Sequence, residues 1–182
     1  IKTFELFNKE ILIVGFGRIG QSLIKRCKGF EMKVKVFDPF VNKETIERFG
    51  GQKIENLDDE LKICDYVSLH VPLVEATQNL LSMDKLKYCK RGMKLINLSR
   101  GGIVNNNDII SALDKGIVSK FVTDFPTPEL ISRSNSTQDI ILLPHIGAST
   151  KEAEINCSIM AAEQTKDFLE NGLIINSVNS VS

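Results

Sequence analysis

The clearest pattern along the chain is a short apolar run, Glu10-Ile11-Leu12-Ile13-Val14, closed by Gly15. Apolar character without alternation fits a strand buried on both faces. Arg18 to Lys28 follows with Ile19, Leu23 and Cys27 at helical spacing. The same alternation then recurs along the chain. Strands are predicted at Lys33 to Phe37, Tyr66 to Val71, Lys94 to Leu98, Val118 to Thr123 and Ile140 to Leu143. Helices are predicted at Lys43 to Phe49, Asp58 to Lys62, Ser82 to Lys87 and Asp108 to Lys115. A last helix, from about Thr150 to Glu170, opens on Ser149-Thr150-Lys151-Glu152 with capping-box spacing. Its apolar positions Ile155, Ile159, Ala162 and Leu169 share one face. Pro126-Thr127-Pro128, followed by Ser132 to Gln138, reads as a long surface connection.

Strands alternating with helices imply an α/β fold, a doubly wound parallel sheet of the Rossmann type with helices on both faces. Ligands of such sheets bind beyond the carboxyl ends of the strands. The positions to read for chemistry are therefore Gly15 to Gly20, Asp38, Val71-Pro72, Ser99-Arg100, Asp124 and His145.

Gly15-Phe16-Gly17-Arg18-Ile19-Gly20 is a G-x-G-x-x-G string between a predicted strand and a predicted helix, the context that motif requires. Gly15 allows the tight turn, Gly17 lets a pyrophosphate approach the backbone, and Gly20 lets the helix pack closely on the strand. The helix amino end supplies N–H groups and positive potential to phosphates. Asp38, at the end of the second predicted strand, is placed to accept from adenosine ribose hydroxyls and to repel a 2′-phosphate, favouring NAD over NADP. The plainer reading of Asp38 is a turn residue before Pro39.

Composition narrows the partners. The 182 residues hold 23 basic and 23 acidic side chains and are 42% hydrophobic. That supports one domain with a real core and counts against nucleic acid or a membrane surface as partner. No apolar stretch is long enough for a membrane span, and charges interrupt the first residues where a secretory signal needs an apolar core. Cys27, Cys64, Cys89 and Cys157 are widely spaced and form no metal-ligand pattern. They are expected to be buried or partly buried free thiols of a reducing, cytoplasmic compartment. The chain opens on Ile1 and is read as a domain excised from a longer protein.

Arg100, Glu129 and His145 form a set sufficient for interconverting a 2-hydroxy acid and a 2-keto acid. His145 is a base working near neutral pH, and a carboxylate partner such as Glu129 orients and charges its imidazole. The Arg100 guanidinium can clamp the substrate carboxylate at two points. Each has a plainer reading: Arg100 capping the sheet rim, Glu129 a solvated loop charge, His145 structural. His70, directly before Val71-Pro72, is read as structural.

The chain resembles the D-isomer-specific 2-hydroxy acid dehydrogenases. The matching strings are Gly15 to Gly20, Phe37-Asp38-Pro39, His70-Val71-Pro72-Leu73, Asn97 to Val104 and Pro144 to Ala153. The Gly-Ala-Ser-Thr-Lys-Glu-Ala run at 147–153 looks like the phosphoglycerate-oxidising branch. The resemblance puts substrate binding on Arg100, the carboxylate partner on Glu129 and acid–base chemistry on His145. It puts NAD contacts on Arg18, Ile19, Asp38, Val71, Leu98, Ser99, Asp124, His145, Ile146, Gly147 and Ala148, with Asp124 near the nicotinamide amide. It implies a homodimer formed through the nucleotide domain, and a substrate domain outside residues 1–182. The small-molecule substrate it implies is a phosphorylated or short 2-hydroxy acid. Two other activities stay open, a glyoxylate or hydroxypyruvate reductase and a corepressor-like NAD-binding module without turnover. One departure stands out. The family reads Asp-Val-Phe-x-x-Glu-Pro where this chain reads Asp124-Phe125-Pro126-Thr127-Pro128-Glu129-Leu130, keeping the Asp-to-Glu interval but moving the proline.

Overall fold

The computed structural model describes residues 4–177, divided into two units that meet between Pro144 and His145. The first unit holds one sheet of seven parallel strands in the order β3-β2-β1-β4-β5-β6-β7. These are β1 (Glu10–Val14), β2 (Lys33–Phe37), β3 (Gln52–Lys53), β4 (Tyr66–Leu69), β5 (Met93–Asn97), β6 (Val118–Thr123) and β7 (Ile140–Leu142). Between them run α1 (Arg18–Gly29), α2 (Lys43–Arg48), α3 (Leu57–Leu61), α4 (Met83–Leu86), α5 (Asn106–Asp114) and α6 (Pro128–Ser136). The strand order reverses direction at β1 and β4, which pair in register from Ile11 beside Tyr66 to Val14 beside Leu69.

The apolar run of β1 explains its central place. Ile11 and Ile13 pack on one face with Ile24, Cys27, Val34, Val36 and Ile46 from α1, α2 and β2. Leu12 and Val14 pack on the other with residues of α3 to α6, among them Leu61, Leu86, Ile109 and Leu130. Both sets are buried, and each such side chain contributes roughly 1.5–3 kcal/mol of burial free energy.

Two expectations need correction, and one strand was not anticipated. The segment after Pro126 is not a long connection, because residues 128–136 form α6. Pro128 occupies the first turn, where its missing N–H costs no helical bond, and Leu130 anchors the helix in the core at 1% exposure. Arg133 then ties α6 to the chain on both sides of it, pairing with Asp139 beyond it at 2.6 Å and with Asp114 at the end of α5 at 2.5 Å. The two-residue edge strand β3 was too short and polar to show a pattern. The capping box of the last helix is displaced by one residue. Thr150 is the cap, accepting from Ala153 N at 3.1 Å, so Glu152 falls one position short of the reciprocal partner.

The second unit is α7 (Lys151–Asn171) with the turn before it and a segment after it. Its apolar stripe is amphipathic in spacing but not covered within that unit, where Ile155, Ile159 and Leu169 are 49%, 50% and 76% exposed. Gly172, at φ +66°, ends the helix in the left-handed conformation that glycine tolerates. Residues 173–175 then line an open groove of about 670 Å³ with Ala161, Gln164 and Phe168.

Cys27, Cys64 and Cys89 are buried free thiols, whereas Cys157 on α7 is exposed. Burial pushes Cys64 and Cys89 up, the latter to about 11, and holds both as unreactive thiols. No helix of the described residues is long and apolar enough to cross a membrane.

Candidate functional site: the carboxyl rim of the sheet

Gly15 leaves β1 at φ +101°, a conformation L side chains rarely adopt. A Cβ there would also lie 2.4 Å from the His70 carbonyl oxygen. One at Gly20 would lie 2.3 Å from the Gly15 carbonyl oxygen, so the first turn of α1 sits directly on the loop. Gly17 differs: it is the extended N-cap of α1, and a Cβ would meet nothing within 4 Å. The space over the amino end of α1 is therefore open, its first turn carries no acid, and Arg18 and Ile19 are exposed beside it. The first-turn N–H groups of a helix lack intrahelical partners. An open, acid-free turn of this kind suits a pyrophosphate.

Asp38 extends from the end of β2 to this loop. Its Oδ2 accepts from Phe16 N at 2.8 Å and its Oδ1 from Phe40 N at 2.9 Å. The turn-residue reading is thus correct as far as it goes. Each carboxylate oxygen keeps a further lone pair for a ribose hydroxyl, so the two roles are compatible. Val71 packs its Cγ1 toward Gly15 from the β4 side.

At the end of β5 the organising residue is Asn97, which the sequence reading passed over. It is 1% exposed. Its Oδ1 accepts from Ser99 N at 3.2 Å and Ser99 Oγ at 3.0 Å, and its Nδ2 donates to Arg100 O at 2.8 Å. Asn97 thereby shapes the turn that presents Leu98, Ser99 and Arg100 at the rim. A polar residue closing the strand directly after Leu95 and Ile96 was the available signal. The Arg100 side chain is exposed and donates to Ser99 O at 2.6 Å. Asp124 follows β6, where buried Thr123 accepts from Phe125 N at 3.2 Å.

Glu129 is not a loop charge but a first-turn residue of α6. Its own backbone N–H and the Thr127 hydroxyl hold its carboxyl below the usual range. The structure groups the glycine turn, Asp38 and Val71 around β1, and places Leu98 to Arg100, Asp124 and Glu129 on or beyond β5, β6 and α6. His145, Ile146, Gly147 and Ala148 belong to the second unit, in an exposed turn closed by Ser149 N donating to Ile146 O at 3.1 Å. His145 adopts φ +39°, unusual for a non-glycine residue and a mark of local constraint.

A parallel sheet with a glycine turn at its strand-order reversal, an open helix amino end and a carboxylate just past the second strand defines a dinucleotide-binding domain. Residues 1–147 match the family described as D-isomer specific 2-hydroxyacid dehydrogenase, NAD binding domain, and the chain belongs to that family. D-3-phosphoglycerate dehydrogenase of Bacillus subtilis is 33% identical over 96% of the chain, and that of Homo sapiens is 34% identical over 97%. The chain spans about a third of the length of these curated relatives, 34% and 33% respectively. Among solved structures, a D-2-hydroxyisocaproate dehydrogenase superposes with TM-score 0.89 at 25% identity, covering 99% of this chain and 58% of that one. A D-lactate dehydrogenase with NAD+ from Lactobacillus jensenii superposes with TM-score 0.86 at 26% identity over the same shares, 99% and 58%.

Proposed function

We propose that this chain is the nucleotide-binding part of an NAD-dependent D-2-hydroxy acid dehydrogenase that oxidises 3-phosphoglycerate to 3-phosphohydroxypyruvate, the entry to serine synthesis. The observation that carries the dinucleotide half of this reading is the Asp38–Phe16 bond at 2.8 Å, which joins the ribose acceptor to the phosphate turn. The substrate half is supported by relatives bearing that name at about a third identity.

When bound, NAD supplies the acceptor for the C2 hydride. The protein supplies the rest. The turn from Gly15 to Gly20 receives the pyrophosphate at the amino end of α1, and Asp38 accepts from the adenosine ribose. Arg100 clamps the substrate carboxylate and aims its C–H bond. His145 takes the hydroxyl proton as the hydride leaves, and Glu129 serves as the carboxylate partner of that imidazole. A Glu held in its ionised form, as Glu129 is, suits that role.

The test is NADH formation by the full-length gene product supplied with 3-phosphoglycerate at alkaline pH. Turnover of hydroxypyruvate or glyoxylate in its place would assign the chain to a reductase of the same family. Tight NADH binding with no turnover of any 2-hydroxy acid would make it a binding module.

A further inference from the structure

His70 directly follows β4, the strand that pairs with β1, and lies two residues beyond Ser68 of that strand. Ser68 is 3% exposed, and its Oγ lies 2.8 Å from His70 Nε2, a hydrogen bond whose direction the ring tautomer sets. The backbone of His70 is engaged on the other side. Its N–H donates to Val14 O at 2.7 Å, and its carbonyl oxygen is the atom that a Cβ on Gly15 would meet at 2.4 Å. The glycine turn is thus pressed between the His70 carbonyl and the first turn of α1, where Gly20 closes on Gly15.

We propose that His70 is a positioning residue for the dinucleotide: its imidazole, anchored to buried Ser68, fixes the carbonyl on which Gly15 rests and so sets the turn that offers the amino end of α1 to the pyrophosphate. The proposal rests on the reading of that turn as the phosphate site. A side chain locked at its tip holds its own backbone in register, and a displacement there passes directly to Gly15 because the contact has no slack. Burial holds the His70 imidazole below its usual range, which keeps it neutral and able to share one proton with Ser68 at neutral pH.

The experiment compares wild type, Ser68→Ala, His70→Ala and the double variant by NADH fluorescence titration, alongside amide and imidazole NMR of the unliganded chain. With only two histidines in the sequence, the His70 ring is resolved directly. Each single variant should weaken NADH about tenfold, the size of one hydrogen bond lost from a positioned site. The double variant should be no weaker than His70→Ala, since Ser68 acts through the ring. The Gly15, Phe16 and Gly17 amide resonances should move in Ser68→Ala, and His70 should pass from one neutral tautomer to a mixture. Ser68→Ala removes a single oxygen and keeps the fold if His70→Ala does not. Wild-type affinity in Ser68→Ala, or unmoved Gly15 to Gly17 amides, would overturn the proposal. If wild type itself fails to bind NADH, the phosphate-site reading falls, and the amide shifts still decide whether the pair sets the turn.

Discussion

The Asp38 carboxylate is bonded to the Phe16 backbone N–H at 2.8 Å, so the residue expected to recognise the ribose also holds the turn expected to recognise the phosphates. Asp38→Ala removes both at once. Loss of charge-assisted hydrogen bonds of this kind costs about 10- to 100-fold in affinity. NADH titration should show that loss, and NADP, which the wild-type carboxylate is expected to repel, should approach NAD in affinity. Equal binding of the two nucleotides by wild type would remove Asp38 from recognition.

Gly15 and Gly17 of the turn should respond differently to substitution. Gly15→Ala places a methyl against the His70 carbonyl at a left-handed φ, and strain of that kind costs of order 1–3 kcal/mol before the clash is added. Gly17→Val meets open space, so its stability change should stay within about 1 kcal/mol, a cap effect. NADH binding should nevertheless be lost, because the valine fills the approach to α1. Urea unfolding and nucleotide titration on the same samples separate the two effects.

Glu60 makes stability depend on pH. Burial pushes its carboxyl above the usual range, Lys35 opposes that shift, and its Oε1 has no hydrogen-bond partner among the described residues. With a folded pKa raised above the unfolded one, its contribution is complete below the unfolded carboxylate pKa and is lost as pH rises through the folded value. Glu60→Gln should therefore be more stable than wild type at pH 7 and lose that advantage near pH 4. His70 acts in the opposite sense: its lowered pKa gives stability that is present above the unfolded imidazole pKa and lost as pH falls through the folded one. Urea midpoints across pH 4 to 8 would test both slopes.

In the full-length gene product, His145→Gln should reduce turnover by about 10²- to 10⁴-fold, the usual share of general acid–base catalysis. NADH affinity should stay within a factor of two. Arg100→Ala should instead raise KM for the hydroxy acid most strongly. Normal turnover in His145→Gln would refute the acid–base assignment.

The central strands and the glycine turn were legible because they obey local rules: an apolar run, a glycine string and a carboxylate at a strand end. α6 was not, because only Leu130 of its nine residues is buried and no apolar period marks it. Its helix comes from Pro128 at the first turn and from the Arg133 pairs with Asp114 and Asp139, which only the folded chain brings together. Asn97 escaped for a related reason. Its role is to bind its neighbours' backbone, and an asparagine in sequence does not declare its hydrogen bonds. The expectation for α7 rested on spacing alone, which identifies an apolar face without saying what lies against it.

Every pairing in the sheet is parallel, so no two neighbouring strands are joined by a tight hairpin. The seam that shapes the glycine turn brings Ile11 beside Tyr66, a closure across more than a third of the unit. Contacts of such sequence separation form slowly, since loop entropy is lost before the contact rewards it. β2 holds the glycine turn from one side through Phe37 and Asp38, but the His70 carbonyl that closes on Gly15 is missing until β4 arrives, so the turn is incomplete in a half-assembled chain. Nucleotide binding should accordingly appear during refolding with the same time constant as the sheet, and never ahead of it.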